Sequence, residues 1–175
     1  MDLLRERLKG FEQKIMEMIR HGQENAAIAD RLHRFTRSLL ITTDAAALPE
    51  VLVRELMHQF LIPQAGIRVW GAAAEHAALP FARTVSADAR SFASSLSLPY
   101  CGANAGFEAA TWLEDASTVA SLALIPLRHG SSTDAFGLLV LGSPDPTRFA
   151  ADMGTEFLMR IGEVCSAGLS RLTRA

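Results

Sequence analysis

From Leu4 onward the positions Leu4, Leu8, Phe11, Ile15, Met18, Gly22, Asn25, Ala29, Leu32, Thr36 and Leu39 follow one another in alternating four- and three-residue steps. That alternation is the heptad seam by which two helices pair. Leu8, Ile15, Gly22, Ala29 and Thr36 then sit at a, with Leu4, Phe11, Met18, Asn25, Leu32 and Leu39 at d. Residues 1 to 37 hold 14 of the chain's 36 Lys, Arg, Asp and Glu residues, so the other faces of this helix are expected to be wet. A narrow apolar stripe on a charged rod calls for a partner helix, and a single seam Asn such as Asn25 can meet its symmetry mate and fix register. The competing expectation is a helix folded back on its own domain, with the seam as an ordinary amphipathic face. Length opposes this for the first half, because a helix over positions 3 to 41, rising about 1.5 Å per residue, outruns a small domain. The last turns, where Ile28, Phe35 and Leu40 widen the stripe, are expected to dock on the body.

Thr42-Thr43-Asp44 breaks this helix, and Pro49 suits the first turn of a second helix through Leu52, Leu56 and Phe60. Pro63 and Gly66 are expected to end that helix. Ile67-Arg68-Val69-Trp70 predicts a strand with Gly71 as its exit, while the Ala-rich residues 72 to 86 fit neither period. Short helices are predicted over Asp88 to Leu96 and Phe107 to Leu113, with a strand or turn at Pro99 to Gly102 between them. The uncharged run Ala116 to Leu127 reads as a buried strand. Its apolar end, Ser121 to Leu127, and Phe136 to Gly142 make a hairpin across the polar Arg128–Asp134 connection. Pro144-Asp145-Pro146 stops the sheet. Asp152 is placed to cap a final helix striped by Phe157, Leu158, Ile161, Cys165, Leu169 and Leu172, with Glu156 and Arg160 as an i,i+4 pair. Helices at both ends of an antiparallel sheet predict an α+β layer fold, with a helical segment over 1–43 and one domain over 44–175.

Composition narrows the classes. A chain of 175 residues, 49% hydrophobic and 21% charged, suits one globular core and an appendage. Its formal charge of -2 leaves no broad basic field, so nucleic acid is not an expected partner. Ala116 to Leu127 contains Pro126 and is well short of the roughly 20 apolar residues of a membrane-spanning helix. The charged first residues do not resemble an export signal, and two cysteines far apart encode no disulfide framework. A reducing cytoplasm is the expected compartment.

The strand Ser121-Leu122-Ala123-Leu124-Ile125-Pro126-Leu127, the polar turn, the strand Phe136-Gly137-Leu138-Leu139-Val140-Leu141-Gly142-Ser143 and the closing amphipathic helix resemble the C-terminal half of a GAF domain. Arg31-Leu32-His33, Arg68-Val69-Trp70, Cys101-Gly102, Gly142-Ser143-Pro144-Asp145-Pro146-Thr147-Arg148-Phe149 and Met153-Gly154-Thr155 are similar, more narrowly, to DUF484, a bacterial family of unknown function within the GAF group. The resemblance implies a GAF-like antiparallel sheet of about six strands. It puts the terminal helices on one face and the variable middle segment over the other, where GAF relatives hold ligands. It also implies further residues upstream of the coil in the family, an element missing from this chain.

Residues for chemistry are few. The phosphate-loop, dinucleotide, hydrolase-elbow and zinc-protease motifs are all missing from the sequence. His21, His33, His58, His76 and His129 share no ligand spacing, so no metal and no cofactor is expected. In the middle segment and its borders, Arg68, Arg83, Arg90 and Arg128 could hold an anion, and Trp70, Tyr100, Phe107 and Trp112 could wall a planar ligand. The bland alternatives are solvated arginines and core aromatics. Cys101 lies beside that segment and could bind, sense redox state or carry a chromophore as in phytochrome relatives. Yet the nearest charges in sequence, Arg90 and Glu108, do not lower its pKa, and packing is the simpler role. Cys165 belongs to the core stripe. The cyclic-nucleotide GAF signature needs a lysine that this segment lacks, Lys9 and Lys14 both lying in the coil.

The expectation is a non-catalytic regulatory domain that forms a homodimer through Leu4, Leu8, Phe11, Ile15, Met18, Asn25 and Leu32. It would take an unidentified small molecule between the sheet and residues 72–115, at Arg68, Trp70, Arg90, Tyr100, Cys101, Phe107, Trp112 and Arg128, and pass the change to a protein partner. A second expectation is a ligand-free dimerisation or scaffold module whose pocket is filled by its own Phe, Trp and Leu side chains. An enzyme would require Cys101 paired with His76 or His129.

Overall fold

Helix α1 spans Asp2–Ile41 and ends where the sequence breaks it. Thr42 Oγ1 donates back to the Ser38 carbonyl (2.8 Å), and Asp44 Oδ1 accepts the Ala46 N–H (3.1 Å) to start a short 3-10 turn over Ala45–Ala47. The computed structural model describes residues 2–150 and 155–173. They divide into two compact units, Met1–Arg34 and Phe35–Ala175, so the last turns of α1 belong to the larger one. There Phe35 and Leu39 are buried, as expected for Phe35. Ile28 and Leu40, expected to dock with it, are exposed at 40% and 78%; Leu40 sits one residue beyond Leu39 and so turns about 100° away around the helix. Leu39, the last position of the stripe, lies in these docking turns and is buried with Phe35.

Helix α2 runs Leu48–Phe60 with Pro49 in its first turn and Leu48, Leu52, Leu56 and Phe60 buried. It ends on Leu61 in the left-handed region (φ 53°), before Pro63. Gly66, expected in that terminator, lies inside strand β1, Gln64–Val69. A Cβ at Gly66 would come within 3.3 Å of Leu113 and 3.4 Å of Val140, so the glycine lets the chain beyond the strand pack closely. Helix α3 (Ala87–Ser95) is capped by Ser86, whose hydroxyl accepts the Ala89 N–H, and strand β2 follows at Tyr100–Ala103. Strands β3, Ser121–Arg128, and β4, Ala135–Ser143, form the predicted hairpin, with a bulge at Leu127/Arg128. Helix α4, Glu156–Leu169, buries Leu158, Ile161, Cys165 and Leu169, and Glu156 pairs with Arg160 at 3.2 Å. The cap expected at Asp152 lies outside the described residues, as do Met153 and Gly154.

The four strands form one antiparallel sheet in the order β1-β4-β3-β2. About six strands were expected, and among the described residues there are four. Residues 72–83 carry no β-branched side chain and include Pro80, and they form 3-10 turns at Ala74–His76 and Pro80–Ala82. Likewise Phe107 to Leu113, expected as a helix, is a 3-10 turn over Glu108–Trp112. The run from Ala116 opens with another such turn before β3 begins at Ser121. The expected layering holds: α2 packs on β1 and α4 on β3, linked by the edge contact of Phe60 with Phe157 at 4.9 Å. The absence of a side chain at Gly162 brings α4 close to Ile125, since a Cβ there would stand 2.8 Å from Ile125 Cγ2. On the other face α3 and the 108–112 turn cover β4 and β3. Central β4 is buried along its whole length, which is why it reads as a continuous apolar run.

Candidate functional site

Strand parity decides which side chains meet beneath the middle segment. Even-numbered residues of β3 and β4, Leu122, Leu124, Leu138 and Val140, join Ala93, Ala109, Ala110, Leu113, Val119 and Ala135 in one buried cluster. Trp70, Phe92, Leu96, Tyr100, Phe107 and Trp112 pack against it. Three of these rings pack in series, Phe92 tilted on Phe107 at 5.5 Å and Phe107 edge-on to Tyr100 at 4.9 Å. The polar ends of the aromatics are already engaged: Trp70 Nε1 donates to the Ala135 carbonyl (2.7 Å) and Tyr100 Oη to the Ala103 carbonyl (3.0 Å). The structure thus brings together all four aromatics singled out in the sequence, as core packing under residues 72–115.

The arginines separate. Arg128 spends its guanidinium on the end of α3: Nη2 donates to the carbonyls of Ala93 (3.3 Å), Ser94 (3.0 Å) and Leu96 (2.7 Å), and Nε to Thr133 (3.2 Å). A cation on the last carbonyls of a helix completes groups that the helix itself leaves open. Arg90 is exposed on α3. Arg68 is half-buried, its Nη1 donating to the adjacent Ile67 carbonyl (3.1 Å) and its guanidinium carbon 5.4 Å from the Trp112 ring centre. Burial, and then the charge of Arg83, push its pKa below the ordinary arginine value.

Cys101 is paired with Ala123 across β2 and β3, so alternation turns it to the face opposite Tyr100 and Gly102. Burial raises its pKa, which keeps it a thiol, and full burial raises Cys165 further. His129 stacks on Phe136 at 4.2 Å and has Thr173 Oγ1 3.3 Å from its Nε2; His76 lies beside Glu75 at 3.5 Å. Among the described residues no group of three or more His, Cys, Asp and Glu is arranged to hold a metal ion, and no helix is long and apolar enough to cross a membrane.

Two cavities lie away from this packed space. One, of about 460 Å³, is bordered by Ile125, Arg128, His129, Glu163 and Ser166, on the α4 side. The other, of about 600 Å³, opens between α2 and the free edge of β1, over Pro49, Val53, Met57, Ile67, Arg68 and Phe81. Sequence reasoning reached Arg68 in that second set and passed over the rest. The apolar residues of α2 that face the cavity, Val53 and Met57, look in sequence like an ordinary continuation of the buried stripe.

The model of a family described as "Protein of unknown function, DUF484" matches residues 1–174. No curated protein matches the chain. Among solved structures the chain is similar to the GAF domain ascribed to a sensor histidine kinase from Pseudomonas syringae pv. tomato, at 18% identity and a TM-score of 0.57, over 87% of this chain and 92% of that one. It is similar to the GAF domain of an Acinetobacter phosphoenolpyruvate-protein phosphotransferase at 12% identity and 0.57, over 82% and 93%. A third likeness, at 14% identity and 0.52 over 82% and 88%, is to free methionine-R-sulfoxide reductase from Neisseria meningitidis in complex with its substrate. At these identities the likeness carries the fold: this is a GAF-like domain. One of the three is an enzyme, so the fold by itself does not decide between regulation and catalysis.

Proposed function

The chain belongs to the DUF484 family, and from that footing we propose that it is a non-catalytic, cytoplasmic regulatory module that pairs with a second copy through the seam of α1. The observation that carries this is the row of large apolar side chains left in water on the single chain: Leu4 at 64%, Leu8 at 60%, Phe11 at 61%, Ile15 at 56% and Met18 at 72% exposed, all on one heptad stripe. Leaving such a stripe wet is unfavourable, and burying each Leu, Ile, Phe or Met is worth about 1.5–3 kcal/mol. A parallel, in-register pair adds complementary charge, since Arg7 at g faces Glu12 at e of the second copy, and it brings the two exposed Asn25 side chains together.

Beneath the aromatic cluster of the middle segment, the ligand-free form of the regulatory reading is the better supported. The space beneath residues 72–115 is occupied by the module's own Phe92, Tyr100, Phe107 and Trp112, and Arg128 is committed to α3. A small molecule there would have to displace that aromatic stack. Absence of catalysis rests on the thiols, which are buried and held protonated. Sedimentation equilibrium of Leu8→Lys/Ile15→Lys tests the pairing. Both residues are exposed in the single chain, so the body should melt as before. Two lost contacts on each of two chains remove about 6–12 kcal/mol, comparable to the roughly 8 kcal/mol of a micromolar dimer. The variant should sediment as a monomer and the natural chain as a dimer; a monomeric natural chain, or a dimer that survives both lysines, refutes the proposal.

A further inference from the structure

We propose that the cavity between α2 and the free edge of β1 is a binding site for a small amphiphilic anion, an apolar tail with a single carboxylate or phosphate head. Its volume, about 600 Å³, suits a small molecule, and it is distinct from the space filled by Phe92, Tyr100, Phe107 and Trp112. The walls divide chemically. Pro49, Val53 and Met57 of α2, Ile67 of β1, and Leu79 and Phe81 of the following turns supply an apolar lining. Arg68 supplies the cationic end.

Arg68 is the informative residue. It is half-buried, yet among the described residues no carboxylate stands within ion-pair distance of it; its guanidinium donates to the neighbouring Ile67 carbonyl and lies over the Trp112 ring. Burial, and then the like charge of Arg83, hold its pKa below the ordinary arginine value, as expected of a cation with no anion beside it. A guanidinium has five donors, and a carboxylate or phosphate head would take two of those left over in a bidentate pair. The other charges at the cavity are Arg54 and Glu50, both exposed, with Arg54 3.9 Å from Glu55. Glu50 opposes an anion and Arg54 favours it, which leaves Arg68, the half-buried cation of the lining, to set the sign.

The missing strands make the cavity possible. Because residues 72–83 form turns rather than a strand, the outer edge of β1 is left without a neighbouring strand, and Leu79 to Phe81 close over it only in part. Ile67 presents its carbonyl along that edge, which is how Arg68 comes to fold back over it.

The test is calorimetric titration of the full chain with sodium decanoate, 1-decanol and inorganic phosphate, with methyl NMR of Val53, Met57 and Ile67 to locate binding. Decanoate should bind one per chain and shift those methyls, with decanol and phosphate each at least tenfold weaker. Arg68→Gln should weaken decanoate about tenfold or more and leave decanol unchanged. Arg83→Gln, at an exposed position that folding tolerates, should weaken decanoate by a smaller factor. Val53→Trp, which fills the cavity, should abolish binding. Equal affinity for decanol and decanoate, methyl shifts confined to other residues, or decanoate affinity unchanged in both Arg83→Gln and Val53→Trp would overturn the assignment. None of these outcomes depends on the dimer, so its fate and that of the pairing proposal are read separately.

Discussion

Replacing Arg128 by Met separates a structural arginine from a ligand-binding one. Methionine keeps much of the aliphatic stem and removes the guanidinium, which holds the Ser94 and Leu96 carbonyls at 3.0 and 2.7 Å, Ala93 at 3.3 Å and Thr133 at 3.2 Å. One Nη2 has two hydrogens, so its three acceptors amount to two good bonds, and Nε adds a weaker third. Hydrogen bonds to charged groups contribute about 1.5–3 kcal/mol each when sheltered. This group is half-buried, so water replaces part of that, and a net loss of about 2–3 kcal/mol is expected. For a body of this size that lowers the melting midpoint by about 5–10 °C. Urea unfolding measures the loss, and hydrogen exchange locates it: amides of residues 93–97 should exchange faster while those of β3 and β4 keep their order. Arg128→Lys, with charge but no fork, should recover about half. A loss below about 0.5 kcal/mol with α3 exchange unchanged would refute the clamp and return Arg128 to the list of free cations.

Two glycines should respond with opposite sign. A Cβ at Gly137 would stand 2.8 Å from the Arg68 carbonyl oxygen, part of the paired strand β1, so Gly137→Ala should cost about 2–3 kcal/mol by urea unfolding, and a neutral result refutes that packing. Gly22 has nothing within 4 Å, so Gly22→Ala should raise the helical melt of α1 by the equivalent of about 0.5–1 kcal/mol; a lowered melt means the paired helices need that glycine for close approach. The buried thiols set an alkaline limit. Their folded pKa values are raised from 9.0, so the unfolded chain ionises first, and stability is intact below about pH 9 and falls above it. Cys165, fully buried, should dominate at about 1.4 kcal/mol per pH unit, and comparing the natural chain with Cys165→Ala between pH 8 and 10.5 should remove most of that slope; equal slopes would show the thiol is not the cause.

What was legible in the sequence is what periodicity encodes. The long first helix, Pro49 at the start of α2, the short helix α3, the hairpin and the stripe of α4 each follow from a local rule, and each is where the rule puts it. The strand count was not legible from residues 72–86, because an Ala-rich stretch has neither helical nor strand period. There the family resemblance supplied strands that these residues do not form. At the end of α1 the stripe residue Leu39 is buried, whereas Leu40, added to widen the stripe, is exposed about 100° further round the helix.

The candidate site shows why a residue's neighbourhood is harder to read than its type. Tyr100, Cys101 and Gly102 are adjacent, and the sequence treats them as one border of a pocket. In a strand, parity splits them: Tyr100 closes the aromatic stack on one face, Gly102 leaves room for its hydroxyl, and Cys101 points to the other face. Nothing in Pro99-Tyr100-Cys101-Gly102 fixes that parity; it comes from pairing with β3, where Tyr100 meets Leu124 and Cys101 meets Ala123. Arg128 obeys the same logic, since it reaches α3 only because the bulge at Leu127/Arg128 and the fold of residues 93–96 bring them together across more than thirty positions of sequence. Aromatic and basic residues under a GAF-like middle segment therefore say that the space is lined, and only register says whether it is open. In this chain register closes it, which moves the search for a ligand to the free edge of β1, where among the described residues no carboxylate stands within ion-pair distance of half-buried Arg68.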